Sequence, residues 1–311
     1  MNIRHDQQKH LERVIDYIEE NIQEALPLEK LAAVSTYSAF HFQRLFKRMT
    51  GETPATYVKR LRLEDAAHLL IYEPDLPVTH VAHQCGFSSL SYFTSSFREA
   101  FESSPKEWRE GSYLARFPRE YKDSKKSKLF SKNREAIWTP HHYNQFRWLD
   151  LSKVQIIHLP SCKTEKRHHM GSYISGIPQT WGELYHWANA RDLIHQDALM
   201  LGYPKNNPYI TPPEKSRYEC HIELESRTAE GVNLSSFHGG KHVLYEFDEP
   251  VPYSDRGMLI ECYSELYSFW LPGSGFKYLG KPVELVQVRP LPGTLKLDCR
   301  IKAIALAIEP K

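Results

Sequence analysis

Residues 77–109 contain the run Pro77-Val78-Thr79-His80-Val81-Ala82-His83-Gln84-Cys85-Gly86-Phe87-Ser88-Ser89-Leu90-Ser91-Tyr92-Phe93-Thr94-Ser95-Ser96-Phe97-Arg98, closing on Ser104-Pro105-Lys106-Glu107-Trp108-Arg109. The same outline stands about fifty residues earlier. Pro27 pairs with Pro77, Leu31 with Val81, Ala32 with Ala82 and Tyr37 with Phe87. After one inserted residue, Phe42 pairs with Phe93, Phe46 with Phe97, Lys47 with Arg98, Pro54 with Pro105 and Tyr57 with Trp108. Matched positions in matched order make an internal repeat, and a repeat outranks any isolated motif.

Each copy reads as a short helix, a tight turn and a second helix. In the first, Pro27 suits the opening turn of a helix over Leu28–Val34. Ser35-Thr36-Tyr37-Ser38 makes the turn, and Ser38 can cap a helix that runs from Ala39 to a stop at Gly51. Upstream, Leu11, Val14, Ile15, Ile18 and Ile22 stand at helical spacing within 7–24. Helix, tight turn, helix is the helix-turn-helix outline.

The second helix of each copy has two faces. Phe42, Leu45, Phe46 and Met49 follow the i, i+3, i+4, i+7 rule and are expected inside, which turns Phe40, His41, Gln43, Arg44 and Lys47 outward. Glutamine suits adenine, arginine suits guanine and an apolar ring suits a thymine methyl, so this stripe can read base edges; the plainer alternative is a solvated face. In the second copy Phe93, Ser96, Phe97 and Ala100 are expected inside. Ser91, Thr94, Ser95 and Arg98 face out, a polar stripe better fitted to phosphates than to bases. Between the copies, residues 55–72 read as a helix of about 27 Å. Two heads on such a spacer could enter major-groove segments about one turn, ~34 Å, apart.

Residues 8–110 resemble the AraC-type DNA-binding domain, an all-α fold with two helix-turn-helix units. The resemblance rests on Leu31-Ala32, Phe42-Gln43-Arg44-Leu45-Phe46-Lys47, Gly51, Pro54, Val81-Ala82, Cys85-Gly86-Phe87, Ser91-Tyr92-Phe93, Phe97-Arg98 and Ser104-Pro105-Lys106-Glu107-Trp108-Arg109. It implies a sequence-specific transcriptional regulator whose partners are double-stranded DNA, RNA polymerase and a small-molecule effector. Two positions depart from the family's habit. Ser95 stands where arginine is common, which removes a DNA contact, and Glu102 stands where glycine is common, which removes a helix stop. Less sequence discrimination is therefore expected of the second unit.

Three segments follow from this: a DNA-binding domain over 1–117, a basic linker over 118–150 and a second domain over 151–311. Bulk charge does not announce nucleic acid. The whole chain carries a formal +2. Residues 1–117 hold 14 Lys and Arg against 16 Asp and Glu, a balance of −2, while 118–150 hold 8 against 4, a balance of +4. Any DNA footprint on the first domain must come from local placement.

The second domain mixes periods. Strands are expected at 154–159, 218–224, 242–247, 283–289 and 297–308, with helices at 178–195 and 255–270. Strand, helix and strands given twice read as a duplicated α+β unit. The segment resembles the GyrI-like effector-binding domain through Leu201-Gly202-Tyr203, Asn207-Pro208, Pro212-Pro213-Glu214-Lys215, Arg217-Tyr218-Glu219-Cys220 and Trp270-Leu271-Pro272-Gly273-Ser274-Gly275. The resemblance implies a ligand groove between two related halves, with Glu284 at its bottom. Strand alternation puts Glu284 on the face of Val286 and Val288, where a carboxylate must pair or be costly. The alternative is a solvated acid on an edge strand. Trp181, Tyr185, Tyr253, Tyr263, Tyr267 and Trp270 supply aromatic surface in the flanking elements, so a lipophilic cation is the expected effector.

Other chemistry finds little footing. His168-His169 and His141-His142 are adjacent pairs rather than i, i+4 helical ligands, so no metal and no cofactor is expected. There is no GxSxG, P-loop or GxGxxG run. Some stand-alone relatives of the second domain are hydrolases, which makes a hydrolase fused to a DNA-binding module the rival reading; no nucleophile and base can be picked. Five scattered cysteines, Cys85, Cys162, Cys220, Cys262 and Cys299, without a CxxC pair, read as small apolar fillers in a reducing compartment. The opening residues lack the apolar core of a signal peptide and no apolar run could span a membrane, so a cytoplasmic protein is expected.

Overall fold

A computed structural model of the 311-residue chain describes residues 3–113, 149–208, 210–224, 234–280, 282–291, 293–294 and 297–311. The chain divides into two compact units, Met1–Arg134 and Glu135–Lys311. The basic linker expected over 118–150 lies, apart from its last two residues, outside the described residues, as does His141-His142.

In the first unit the described residues form seven helices: α1 (Ile3–Glu20), α2 (Leu28–Ser35), α3 (Ala39–Thr50), α4 (Pro54–Tyr72), α5 (Val78–Gln84), α6 (Leu90–Phe101) and α7 (Pro105–Arg109). Leu11, Val14, Ile15 and Ile18 of α1 are buried at helical spacing against Leu31, Ala32, Phe42 and Phe46. The repeat seen in sequence recurs in packing. Phe42, Phe46 and Tyr57 stack edge to face at 5.5 and 5.3 Å, and their counterparts Phe93, Phe97 and Trp108 do so at 5.6 and 5.7 Å. Such pairs contribute beyond their buried area. The central helix α4 is buried nearly all round, at Tyr57, Val58, Leu61, Leu63, Ala66, Ala67, Leu70 and Ile71, because it serves both copies. Its 19 residues span about 28 Å.

Both helix-turn-helix turns need a left-handed residue, and the copies meet the need differently. The second uses Gly86 at φ 78°, where a Cβ would lie 2.7 Å from the Ile22 carbonyl oxygen. The first uses Thr36 at φ 63°, an unusual conformation for a β-branched residue. The helix stops differ too. Gly51 ends α3 at φ 76°, and Glu102 ends α6 at φ 56°, each donating its N–H to the carbonyl four residues back at 2.9 Å. The stop expected to be lost at Glu102 is therefore kept, with a non-glycine residue bearing the strain.

The second unit is one antiparallel sheet with helices. Its strands are β1 (Gln155–Leu159), β2 (Cys162–Met170), β3 (Met200–Pro204), β4 (Arg217–Glu223), β5 (Ser235–Phe237), β6 (Gly240–Pro252), β7 (Phe276–Tyr278), β8 (Val283–Pro290) and β9 (Leu297–Pro310). Helix α8 (Ile177–Asn189) follows β2. Helix α9 (Arg256–Glu265) follows β6 and runs into a π-helical turn, Leu266–Trp270. Strand order is β1-β6-β9-β8-β3-β4-β2-β5, with β7 added to β9. Strand-helix-strand-strand thus occurs twice, as β2-α8-β3-β4 and β6-α9-β8-β9. In each, the first strand pairs with the last and the last with the middle one. The halves meet at β3 and β8, where Leu201 faces Leu285 and Gly202 faces Glu284. This is the duplicated α+β architecture. A bulge at Lys302 shifts the β8–β9 register between Leu285 and Val286. Among the described residues no helix is long and apolar enough to cross a membrane.

Candidate functional site

Helix α3 opens on Ser38, whose hydroxyl accepts the His41 N–H at 3.4 Å. Its inner side is set by Phe42, Phe46 and Thr50 at i, i+4, i+8, with Leu45 beside them. Thr50 donates its hydroxyl to the Phe46 carbonyl at 2.9 Å, and that rotation leaves Met49, expected inside, exposed instead. The outward stripe holds His41, Gln43, Arg44 and Lys47, with Phe40 71% exposed. The Arg44 guanidinium lies 5.6 Å over the Phe40 ring, a cation–π contact on the exposed face.

Several basic side chains of the first unit are neutralised by acids. Lys30 pairs with Glu24, Lys59 with Glu99, and Arg60 with Glu52 and Glu64. Among the described residues Arg44 and Lys47 take part in no such ion pair, so the outer face of α3 carries positive charge that no acid neutralises.

Helix α6 repeats the rotation with Phe93, Phe97 and Phe101. Phe101 packs on Trp108 at 4.8 Å, so Ala100, expected inside, is exposed. Ser91, Ser95 and Arg98 are exposed and Thr94 is half-buried. The Ser95 hydroxyl donates to the Tyr92 carbonyl at 3.0 Å, which spends its single donor. Sequence reasoning passed over Leu90 and Tyr92, 45% and 54% exposed. The repeat held the signal, since Tyr92 stands where the first copy has His41.

In the second unit Glu284 is fully buried in β8. Tyr218 of β4 donates its hydroxyl to Glu284 Oε2 at 2.6 Å, and Tyr263 of α9 donates to Oε1 at 3.3 Å. Tyr253 lies 2.8 Å from the Tyr218 oxygen, and the Trp181 indole of α8 donates to Tyr253 at 2.9 Å. An indole N–H can only donate, so the chain has one direction: Trp181 to Tyr253, Tyr253 to Tyr218, Tyr218 to the carboxylate. The carboxyl of Glu284 thus accepts one tyrosine hydroxyl on each oxygen. The space for Tyr218 exists because residue 202 is glycine; a Cβ there would overlap the Tyr218 hydroxyl.

Of the expected effector residues, the hydrogen bonds join Trp181, Tyr253 and Tyr263 to Glu284. Tyr185 is half-buried beside His186, Tyr267 packs on Tyr278 at 5.1 Å, and Trp270 stacks on Phe276 at 6.3 Å. Sequence reasoning missed Tyr218 and Gly202 as parts of the site. Burial at all six positions from Arg217 to Ile222 hides the alternation that would have singled Tyr218 out.

Alternation puts Glu219 on the opposite sheet face. Its Oε1 meets Lys205 at 3.3 Å, Arg217 at 3.2 Å and His168 at 3.4 Å, and its Oε2 accepts from His221 Nε2 at 3.2 Å. Burial alone would raise the Glu219 carboxyl, but Lys205, the His221 hydrogen bond, His168 and Lys166 outweigh it and hold it well below the usual range. Burial pushes His168 down to about 3 and lowers His221, whose Nδ1 lies 3.0 Å from Thr164 Oγ1. The five cysteines are free, and burial raises the thiols of Cys162 to about 11 and Cys299 to about 12.

Residues 31–111 match a helix-turn-helix domain family, and residues 152–301 match the GyrI-like small molecule binding domain. The multiple antibiotic resistance protein MarA of Escherichia coli is 33% identical over 96 residues, 31% of this chain and 75% of MarA. The HTH-type transcriptional activator RhaS of Escherichia fergusonii is 40% identical over 101 residues, 32% of this chain, and the chain spans 36% of the length of RhaS. Among solved structures, the DNA-binding domain of the global transcriptional factor AdpA in complex with a target DNA is 34% identical. That match covers 35% of this chain and 96% of the other, with a TM-score of 0.32. The matches give the hydrolase reading no support. The chain belongs to the AraC family of helix-turn-helix transcriptional regulators and joins the family's DNA-binding domain to a GyrI-like small-molecule binding domain.

Proposed function

We propose that the chain is a cytoplasmic regulator that binds duplex DNA through α3 and α6, acts on RNA polymerase there, and binds a lipophilic cation at Glu284. In the first unit, Phe40, His41, Gln43, Arg44 and Lys47 of α3 carry base readout. Ser91, Thr94, Ser95 and Arg98 of α6 lie against the backbone. In the second, Trp181, Tyr185, Tyr253, Tyr263, Tyr267, Trp270 and Glu284 form the effector site, and residues 118–150 link the two.

The observation that carries the ligand class is the buried carboxylate of Glu284 at the end of a one-way chain of aromatic donors. The Tyr218 and Tyr263 hydroxyls orient the two carboxylate oxygens. A cation brought there gains charge pairing in a low dielectric and contact with aromatic faces, whereas an anion is desolvated against a like charge. Calorimetric titration of the full chain with a benzyl quaternary ammonium ion and its neutral carbon isostere tests this. The cation should bind at least tenfold tighter, and Glu284→Gln should erase the preference. Equal binding of both compounds by both proteins would return Glu284 to a structural role.

A further inference from the structure

Every large apolar side chain exposed on the first unit, among the described residues, sits on α3 or α6: Phe40, Met49, Leu90 and Tyr92. Three of these four, Phe40, Leu90 and Tyr92, fall in the first turn of their helix. A single exposed leucine or ring needs no explanation. Repetition of the feature in the same turn of both copies does, because that turn of a recognition helix is the part that meets base edges.

The two first turns carry different chemistry. Helix α3 pairs its ring with long polar groups, Gln43 and Arg44. Helix α6 has none at the matching places, Thr94 and Ser95, and the Ser95 donor is turned onto its own backbone. What α6 presents in bulk is Leu90 and Tyr92. Tyr92 is held rather than loose: the Phe87 ring lies 6.1 Å away, and Lys59 of α4 sits 5.7 Å over its face, itself fixed by Glu99 at 3.0 Å. The Ser89 hydroxyl caps the Tyr92 N–H at 3.3 Å, and neither first turn carries an acid to repel phosphate. In the major groove the apolar feature of a base pair is the thymine 5-methyl group.

We propose that Leu90 and Tyr92 are specificity-determining residues that pack against thymine methyl groups, so that the half-site under α6 is read by apolar contact. The proposal rests on α3 and α6 being the two reading heads. It assigns α6 a share of base readout beyond backbone contact, and predicts that its half-site carries thymine where Leu90 and Tyr92 point.

The test uses the full chain and an operator selected from random duplexes. The half-site whose base preference Arg44→Ala relaxes is assigned to α3, and the other to α6. Each thymine is then replaced singly by uracil, which removes only the methyl group. Wild type should lose roughly fourfold in affinity at one or more uracils in the α6 half-site. Leu90→Ala and Tyr92→Ala should each abolish the loss at one of those positions while keeping the base-pair preferences of the α3 half-site, which shows that the variants fold. A wild type blind to uracil throughout the α6 half-site, or variants that keep the full penalty, overturns the proposal. If that half-site still discriminates base pairs while blind to uracil, α6 remains a head and only the apolar contact falls. If it accepts every base pair, the two-head reading falls with it.

Discussion

Gly202 and Glu284 are cross-strand partners at the line where the two halves of the second unit meet, and the missing side chain of one makes room for the tyrosine that holds the other. Gly202→Ala should therefore destabilise the second unit by about 1–3 kcal/mol, the usual cost of overpacking. Urea denaturation measures it. The penalty should shrink in a Tyr218→Ala background, because the overlapping group is gone. A Gly202→Ala protein as stable as wild type would mean that the tyrosine can sit elsewhere.

Arg44 and Phe40 form a cation–π pair on α3, and Arg44 and Lys47 hold charge that no described acid compensates. Arg44→Ala should cost about 1–3 kcal/mol on a selected operator and relax its base preference. Lys47→Ala should weaken all sequences alike and reduce the slope of log affinity against log salt by about 0.9. Base changes in the α3 half-site should cost more than those under α6, because Ser95 stands in α6 where α3 has Arg44. Filter-binding titrations across a salt series and a scanned operator decide all three.

Thr36 and Gly86 close equivalent turns with unequal strain. Thr36→Gly should stabilise the first unit by about 1 kcal/mol, since the left-handed conformation costs glycine nothing. Gly86→Ala should destabilise it by more, because a Cβ there meets both the Ile22 carbonyl and the Arg62 side chain. Thermal melts of the two variants against wild type give the signs directly; a destabilising Thr36→Gly would place the strain elsewhere.

His168 and His221 are kept neutral by burial, His168 down to about 3. In the unfolded chain both titrate near 6.5. Their contribution to stability is thus complete above pH 6.5 and is lost as the pH falls from there toward the folded values. The urea midpoint of the second unit should drop between pH 7.5 and pH 5.5. An unchanged midpoint would show that the imidazoles protonate without cost where they lie.

The first unit was legible in sequence because its signal was written twice. Helical periodicity and the pairing of Phe42 with Phe93 and Phe46 with Phe97 gave the helices, turns and inner faces. The errors at Met49 and Ala100 have one cause: the inner stripe follows i, i+4, i+8, so Thr50 and Phe101 take the places expected of their neighbours. The second unit was less legible. Strand β2 reads Cys162-Lys163-Thr164-Glu165-Lys166-Arg167-His168-His169-Met170, with no apolar alternation, because Lys166 and His168 lie on the face of the Glu219 cluster. Strand β3 is short and contains glycine and proline. The apolar neighbours of Glu284 pointed to a buried, paired carboxyl, but the donor chain leading to it joins residues 181, 253, 218 and 284, and no local pattern links positions so far apart.

The seam between the halves is short. Two residue pairs join β3 to β8, against seven for β2 with β4 and eight for β8 with β9. Of the strand pairs in the sheet this one has the fewest partners, and the fully buried Glu284 lies on it. A cation that binds Glu284 as proposed would sit at the join between the two halves.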